Sequence, residues 1–199
     1  MRTHIVLFFL ICYTHFSNAQ SSFQEGQLRI GLVKAKLVNS VDAKYDGINK
    51  YCIGFYLERR NADKPLSILT GLEVIGKGSN VLYGERVNFQ YLSVRISPQW
   101  NYKNIFFSTG IYVSYLSSIE SNVPSASRFI IIEDVKKLDF GICLGPGYRL
   151  FQFLNIGLLY DIGLNNMYMT KTYGANGSFA KVNYRNRNWL LYIGAAYRF

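Results

Sequence analysis

The C-terminal end of the chain alternates strictly between two kinds of side chain. Odd-numbered residues from Trp189 to Phe199 are apolar or aromatic, whereas the even-numbered residues include Gly194 and the basic Arg198. Successive side chains of a β-strand point to opposite faces, so the segment predicts a strand with one apolar and one mixed face. Such a strand, ending in an aromatic residue, is typical of the wall of a transmembrane β-barrel.

The N-terminus predicts export. Arg2 precedes an apolar run from Ile5 to Cys12, and Ser17-Asn18-Ala19 supplies the small residues that signal peptidase reads. The run is shorter than the about 20 residues that a membrane-spanning helix needs. We therefore expect a secretory signal peptide at residues 1–19 and a mature barrel domain at residues 20–199.

Loss of the signal peptide removes the residues on which much side-chain chemistry depends. His4 and His15 both lie within it, so a catalytic triad, a histidine base or a usual zinc site would lack its commonest member. Cys52 and Cys143 match no metal-binding spacing, and we expect them on opposite walls, beyond the about 7 Å between Cα atoms that a disulfide requires. The sequence therefore predicts no enzyme, no metal and no cofactor.

The composition narrows the class of partner. The chain has 22 Lys and Arg against 12 Asp and Glu, which suggests acidic partners. It is also 49% hydrophobic and 16% aromatic, with 17 glycines, and basic nucleic-acid-binding domains seldom have such a composition. We therefore expect no nucleic acid partner, and many short strands instead of spanning helices.

Eight segments predict strands, and their connections alternate in length. Three of the seven links are short, namely Arg60–Lys64, Asn101–Asn104 and Leu150–Gln152, and the other four are longer. Barrels of the bacterial outer membrane have short periplasmic turns and longer outer loops. We predict an all-β fold, an eight-stranded antiparallel up-and-down transmembrane barrel with both termini in the periplasm. The predicted strands are Gln27–Lys36, Asn49–Arg59, Pro65–Lys77, Asn88–Trp100, Ile105–Ser117, Lys137–Arg149, Phe153–Asn165 and the terminal segment.

Short motifs spread along the mature chain resemble those of a known family, the PorT-like outer-membrane β-barrel proteins of Bacteroidota. The resemblance implies the barrel fold and the outer membrane, and it implies an accessory role in protein secretion as an alternative function, since PorT is associated with type IX secretion. Ser93 departs from the family, which often has glutamate there. The matching stretches are Gly71-Leu72-Glu73, Gly76-Lys77-Gly78, Tyr91-Leu92, Thr109-Gly110-Ile111-Tyr112, Asp139-Phe140-Gly141, Gly145-Pro146-Gly147-Tyr148-Arg149, Tyr160-Asp161-Ile162-Gly163-Leu164 with Asn166, and Tyr197-Arg198-Phe199.

Alternation also places charged side chains on the inward face. Eight strands leave a lumen just wide enough for side chains to fill, so these charges are expected to pair across it. The barrel would then be a structural or binding element; the alternative is a narrow pore for ions or small solutes. The predicted lumen residues are Glu58, Glu73, Arg95, Asp139, Arg149, Asp161 and Arg198.

Two outer loops carry further hypotheses. The loop at 166–188 contains Lys171, Lys181, Arg185 and Arg187 without an acid, so it is expected to contact lipopolysaccharide phosphates or acidic glycans, unless it is ordinary solvated surface. The loop at 118–136 contains an apolar run at 129–132, which predicts either a strand extension or an edge that accepts the strand of a secretion or surface protein.

Phe199 is predicted to be part of the signal by which the barrel-assembly machinery recognises the last strand, because it ends the outward aromatic and apolar series. Deletion of Phe199 should lower the amount of heat-modifiable folded barrel in outer-membrane fractions. Unchanged assembly of the truncated chain would contradict this role.

Overall fold

Antiparallel strands close into a barrel in the computed structural model, which describes residues 22–39, 46–61, 64–80, 86–121, 135–173 and 179–198. Neighbours in the chain pair with each other, except that β7 and β8 both pair with β9, and the first strand pairs with the last to close the wall. The described residues contain no helix long and apolar enough to cross a membrane. The strands are β1 Ser22–Asn39, β2 Ile48–Asn61, β3 Leu66–Asn80, β4 Arg86–Tyr102, β5 Ile105–Ser121, β6 Leu138–Phe151, β7 Leu154–Gly163, β8 Tyr168–Tyr173 and β9 Phe179–Arg198.

β7 and β8 share one position in the wall, so the barrel has the eight positions that the sequence predicts. β7 pairs with the periplasmic half of β9, and β8 pairs with its outer half. Asn165 bridges the break between β7 and β8, because its side chain donates to the Leu138 carbonyl at 2.6 Å and accepts from the Phe140 N–H at 3.0 Å. The Asn165 side-chain amide thus bonds the β6 backbone in place of a neighbouring strand.

The prediction of a loop at 166–188 is wrong, because this segment forms β8 and the first half of β9. Tyr184, Asn186 and Asn188 point inward and are buried, while Arg185 and Arg187 point outward and are exposed. The alternation is present, but its inward residues are polar and its outward residues are basic. A pattern of alternating apolar residues therefore identifies the last strand only from Trp189 onward and does not reveal this hairpin.

The outward face of the wall is apolar. Leu28, Ile30 and Leu32 of β1 are 53–68% exposed, and exposed apolar or aromatic side chains occupy most outward positions of β2 to β7 and of the periplasmic half of β9. The aromatic residues among them include Trp100 and Trp189. A continuous apolar exterior suits lipid and not water.

The inward face combines glycines with aromatic rings from neighbouring strands. A Cβ atom added at Gly71 would lie 2.0 Å from the Tyr56 ring, and one at Gly157 would lie 2.4 Å from the Tyr192 ring. The absence of a side chain at these glycines lets each ring lie flat across the neighbouring strand. The rings fill lumen space that an eight-stranded wall encloses.

An apolar layer lies at the outer end of the lumen. Leu37 near the end of β1, Ile48 at the start of β2, and Val87 and Phe89 near the start of β4 are between 1% and 3% exposed. Met167 joins the same buried cluster. These residues lie next to the outer connections, so the lumen ends in a small hydrophobic core.

Other sequence predictions have separate outcomes. Cys52 and Cys143 are free and buried, on β2 and β6, as expected. The signal peptide at 1–19, the apolar run at 129–132 and Phe199 lie outside the described residues.

The wall register predicts a depth dependence for charged substitutions. Leu158 faces outward in the middle of the apolar band and pairs with Leu191, whereas Leu164 lies beyond the end of β7. Leu158→Arg should destabilise the barrel by about 2–4 kcal/mol and Leu164→Arg by about 0–1 kcal/mol, because the cost of a lipid-facing charge falls towards the interface. Urea unfolding in lipid vesicles measures both; equal destabilisation would mean that the register is wrong.

Candidate functional site in the barrel lumen

Arg95 of β4 lies at the centre of the charged lumen and is 1% exposed. Its Nη1 and Nη2 atoms donate to the two carboxylate oxygens of Asp161 on β7, at 2.8 and 3.0 Å. Nη2 also donates to Glu73 on β3 at 2.8 Å, and the Tyr56 hydroxyl donates to the other Glu73 oxygen. One guanidinium therefore joins two carboxylates that come from distant parts of the wall.

Arg29 of β1 lies between two aromatic rings. Its guanidinium carbon is 4.4 Å from the ring centroids of both Tyr56 and Tyr192, a geometry that allows cation–π attraction. Its Nε and Nη2 atoms donate to the Gln27 side-chain oxygen at 3.0 and 2.7 Å. Arg29 thus connects β1 to β2 on one side and to β9 on the other.

Glu58 of β2 collects donors at the periplasmic mouth. Arg60 of the same strand bonds it at 2.6 Å, and Arg149 reaches it from β6 at 3.1 Å. The Ser67 hydroxyl and the Gln27 amide donate to the two carboxylate oxygens at 2.7 and 2.9 Å. The pair of Glu58 and Arg149 is the charged connection across the lumen that lies nearest to the periplasm.

Lys77 and Asp139 form the charged connection nearest to the outer end and lie next to the apolar layer, because Phe89 is the register partner of Lys77. The Lys77 ammonium lies 2.7 Å from Asp139 Oδ2, and the Asn186 amide donates to the same oxygen at 2.9 Å. The rings of Tyr112 and Tyr91 have their centroids 4.3 and 5.0 Å from the ammonium nitrogen. This pair joins β3 to β6.

Glu25 belongs to the Glu58 cluster, because the Gln27 amide that donates to Glu58 also donates to Glu25 at 2.9 Å. The charges of these clusters then balance. Removal of one member of a buried pair is far more destabilising than the pair itself is stabilising, because the remaining charge stays buried without a counter-charge. The described residues hold no group of three or more His, Cys, Asp or Glu side chains placed to bind a metal ion. The acids are Glu25, Glu58, Glu73, Asp139 and Asp161, and the bases are Arg29, Lys77 and Arg95, with Arg60 and Arg149 at the mouth.

Several buried polar atoms in the outer half of the lumen have no hydrogen-bond partner among the described residues. They are Asp139 Oδ1, the Tyr112 hydroxyl, Asn186 Oδ1 and both polar side-chain atoms of Asn188. Asp139 Oδ1 lies 3.4 Å from where a Cβ atom of Gly163 would stand. Buried groups of this kind are ordinarily satisfied by protein or internal water, so this part of the lumen is suited to water or to small polar species.

The structure brings most of the predicted lumen residues together. Glu58, Glu73, Arg95, Asp139 and Asp161 are buried and take part in the clusters described above, and Arg149 is partly buried at the mouth.

The prediction that Arg198 lies in the lumen is wrong. It is exposed near the end of β9, where its register partner is Glu25. The reason is its position: the inward face continues to Arg198, but the enclosed part of the barrel ends before it.

The prediction missed Glu25, Gln27, Arg29 and Lys77. Lys77 lies four residues after Glu73 on the same face of β3, and Arg29 alternates with Gln27 on β1. If the alternation of inward and outward side chains had been followed along the whole of both strands, it would have identified all four residues.

The predicted basic residues of the outer end divide into two groups. Arg185 and Arg187 are exposed on the outward face of β9, and Arg185 donates to the Asn166 side chain at 3.0 Å. Lys171 and Lys181 are register partners in the hairpin of β8 and β9, and the positions of their side chains lie outside the described part.

The closed antiparallel wall, the apolar exterior and the charged interior define an outer-membrane β-barrel protein. The sequence profile of the family described as "Outer membrane protein beta-barrel domain" matches residues 15–169. The chain belongs to this family, and its location is the bacterial outer membrane.

Solved structures support the same fold. Neisserial surface protein A is similar with a TM-score of 0.52 and 8% identity, over 85% of this chain and 96% of that one. The outer membrane protein OprG from Pseudomonas aeruginosa is similar with a TM-score of 0.50 and 11% identity, over 87% of this chain and 95% of that one. No curated protein sequence matches the chain. At these identities the similarity shows the fold alone.

The Arg95 cluster predicts a specific pattern of stability. Arg95→Met should destabilise the folded barrel by about 3–5 kcal/mol, because Glu73 and Asp161 would remain buried and charged without their partner. The triple variant Arg95→Met/Glu73→Gln/Asp161→Asn should recover more than half of that loss, since no buried charge is left alone.

Urea unfolding in lipid vesicles measures these differences. Arg86→Met is the matched control, because Arg86 is an exposed arginine of the same strand. A triple variant as unstable as the single variant would contradict an electrostatic role for Arg95.

Proposed function

We propose that the chain is a sealed, non-enzymatic barrel that serves as a structural or binding element of the outer membrane. The observation that carries this proposal is a series of charged connections across the lumen at three depths. They are Glu58 with Arg149 near the periplasm, Arg95 with Asp161 in the centre, and Lys77 with Asp139 near the outer end. Each joins strands from separate parts of the wall.

The apolar layer at the outer end of the lumen supports the same function. Leu37, Ile48 and Val87 are buried near the outer strand ends, and Phe89 is buried as the register partner of Lys77. An ion would have to leave its hydration shell there, and an aqueous channel normally needs about 16 strands or more. A closed interior is better suited to stabilising the wall than to transport.

The carboxylates favour a structural role over catalysis. Glu73 and Asp161 are the acids nearest to the centre, and both are engaged by the Arg95 guanidinium. General acid or base chemistry needs a carboxylate within hydrogen-bond reach of a substrate, and the packed rings of Tyr56 and Tyr192 occupy the neighbouring space.

A narrow pore is the second candidate function. The unpartnered atoms of Tyr112, Asp139 and Asn188 favour it, because they could bind a small polar solute inside the outer half of the lumen. Membership of the PorT-like group of Bacteroidota and an accessory role in secretion stay predictions that rest on the sequence resemblance. The assembly machinery and a secretion or surface protein likewise stay proposed partners.

Conductance in planar lipid bilayers distinguishes the sealed barrel from the pore. The parent barrel should show no stable openings at either polarity, because its charged connections and apolar layer both obstruct the lumen. The variant Lys77→Ala/Arg95→Ala/Phe89→Ala should produce discrete steps, since it removes two connections and part of the apolar layer.

Insertion and folding are verified by the heat-modifiable mobility of both proteins recovered from the same lipid. Stable openings of the parent would establish the pore in place of the sealed barrel. Silence of both folded proteins would contradict the assignment of the obstruction to these three residues.

A further inference from the structure

Four basic residues lie together on the outward face of the wall, near the outer ends of β1 and β9. Lys34 and Lys36 come from β1, and Arg185 and Arg187 come from β9; all four are exposed. We call them the basic wall patch. Two of its members come from the beginning of the chain, far in sequence from the segment at 166–188 in which basic residues are concentrated.

The pairing of β1 with β9 places like charges directly opposite each other. Lys36 and Arg187 are register partners, and Arg185 lies two residues further along the same face of β9. Like charges directly opposite each other on neighbouring strands are destabilising. Within the described ranges, Lys34, Lys36 and Arg187 take part in no ion pair or side-chain hydrogen bond. An anion from outside the chain would relieve this repulsion.

An aromatic pair gives the depth of the basic wall patch in the membrane. Trp189 is the register partner of Lys34, is half exposed, and contacts the Tyr160 ring with a centroid separation of 4.4 Å. Outward Trp and Tyr side chains lie at the level of the lipid headgroups. Lys36 and Arg187 lie two residues further out, a rise of about 6–7 Å along the strands, which brings them to headgroup phosphates.

The apolar side of the patch indicates a lipid and not a free anion. Leu32 and Leu191 are exposed directly on the membrane side of Lys34 and Trp189, and they are register partners. A ligand that reaches both the bases and these leucines needs an acidic head and an apolar body. A phosphorylated glycolipid has this shape, and the indole face of Trp189 suits a sugar ring.

We infer that the basic wall patch binds the phosphate groups of lipid A in the outer leaflet. Lys36 and Arg187 contact a phosphate between them, and the arginine fork donates two hydrogen bonds to its oxygens. Lys34 and Arg185 flank this phosphate and attract the second. The inference specifies the ligand for the binding role proposed above, and it rests on that role but not on the closure of the lumen.

Titration of the chain, refolded in detergent micelles, with diphosphoryl lipid A tests the inference. The variant Lys36→Gln/Arg187→Gln should bind roughly thirtyfold more weakly than the parent, because each base near an anionic membrane surface contributes about a fivefold factor. The matched control Lys64→Gln/Lys103→Gln removes two exposed bases from the periplasmic turns and should bind like the parent. Higher salt should weaken the parent much more than the variant.

Two further probes separate lipid from free anion. Dephosphorylated lipid A should bind the parent no better than it binds the patch variant, and inorganic phosphate should not displace diphosphoryl lipid A at equal concentration. Equal affinity of parent and patch variant for diphosphoryl lipid A, or displacement by inorganic phosphate, would overturn the inference. Lipid A binding by a barrel that also conducts would overturn only the sealed lumen.

Discussion

Backbone N–H and C=O groups inside a bilayer have no water to bond, so a β-sheet that spans lipid must close on itself. β1 and β9 close this wall through a ladder that runs from the Glu25–Arg198 pair to the Asn39–Tyr184 pair. With eight positions in the wall, closure leaves a lumen of side-chain width. The side chains that fill it are therefore held against each other, and their charges must be compensated inside the barrel.

Arg95 shows how this compensation works. A buried ion pair is weak evidence for stability by itself, because desolvation offsets much of the attraction. Here one guanidinium serves two carboxylates, Asp161 and Glu73, and the Tyr56 hydroxyl satisfies a further oxygen. The cluster thereby fixes β3, β4 and β7 relative to each other. The apolar layer next to Lys77 adds a dry region with conventional hydrophobic packing, which polar clusters supply poorly.

How much of the structure the sequence predicts depends on what the two-residue alternation of a β-strand can show. Alternation identifies the wall strands and the inward position of residues such as Arg95 and Asp161, but these two are 66 residues apart and their contact depends on the register around the whole barrel. The apolar layer was missed because Leu37 and Val87 lie beyond the predicted strand ends. The hairpin of β8 and β9 was missed for a related reason. Above the hydrocarbon core of the membrane, the outward residues of a strand no longer need to be apolar, as Arg187 illustrates.

The distribution of charge between the two faces of the wall connects the lumen with the exterior. The chain carries a formal net charge of +10, yet the acids of the lumen clusters are matched by as many bases. The excess positive charge therefore lies outside these clusters. Arg95 and Lys77 face inward and have carboxylate partners from this chain, whereas Lys36 and Arg187 face outward and repel each other. A wall that neutralises its interior and leaves its outer rim basic creates a positive potential where an anionic leaflet meets it.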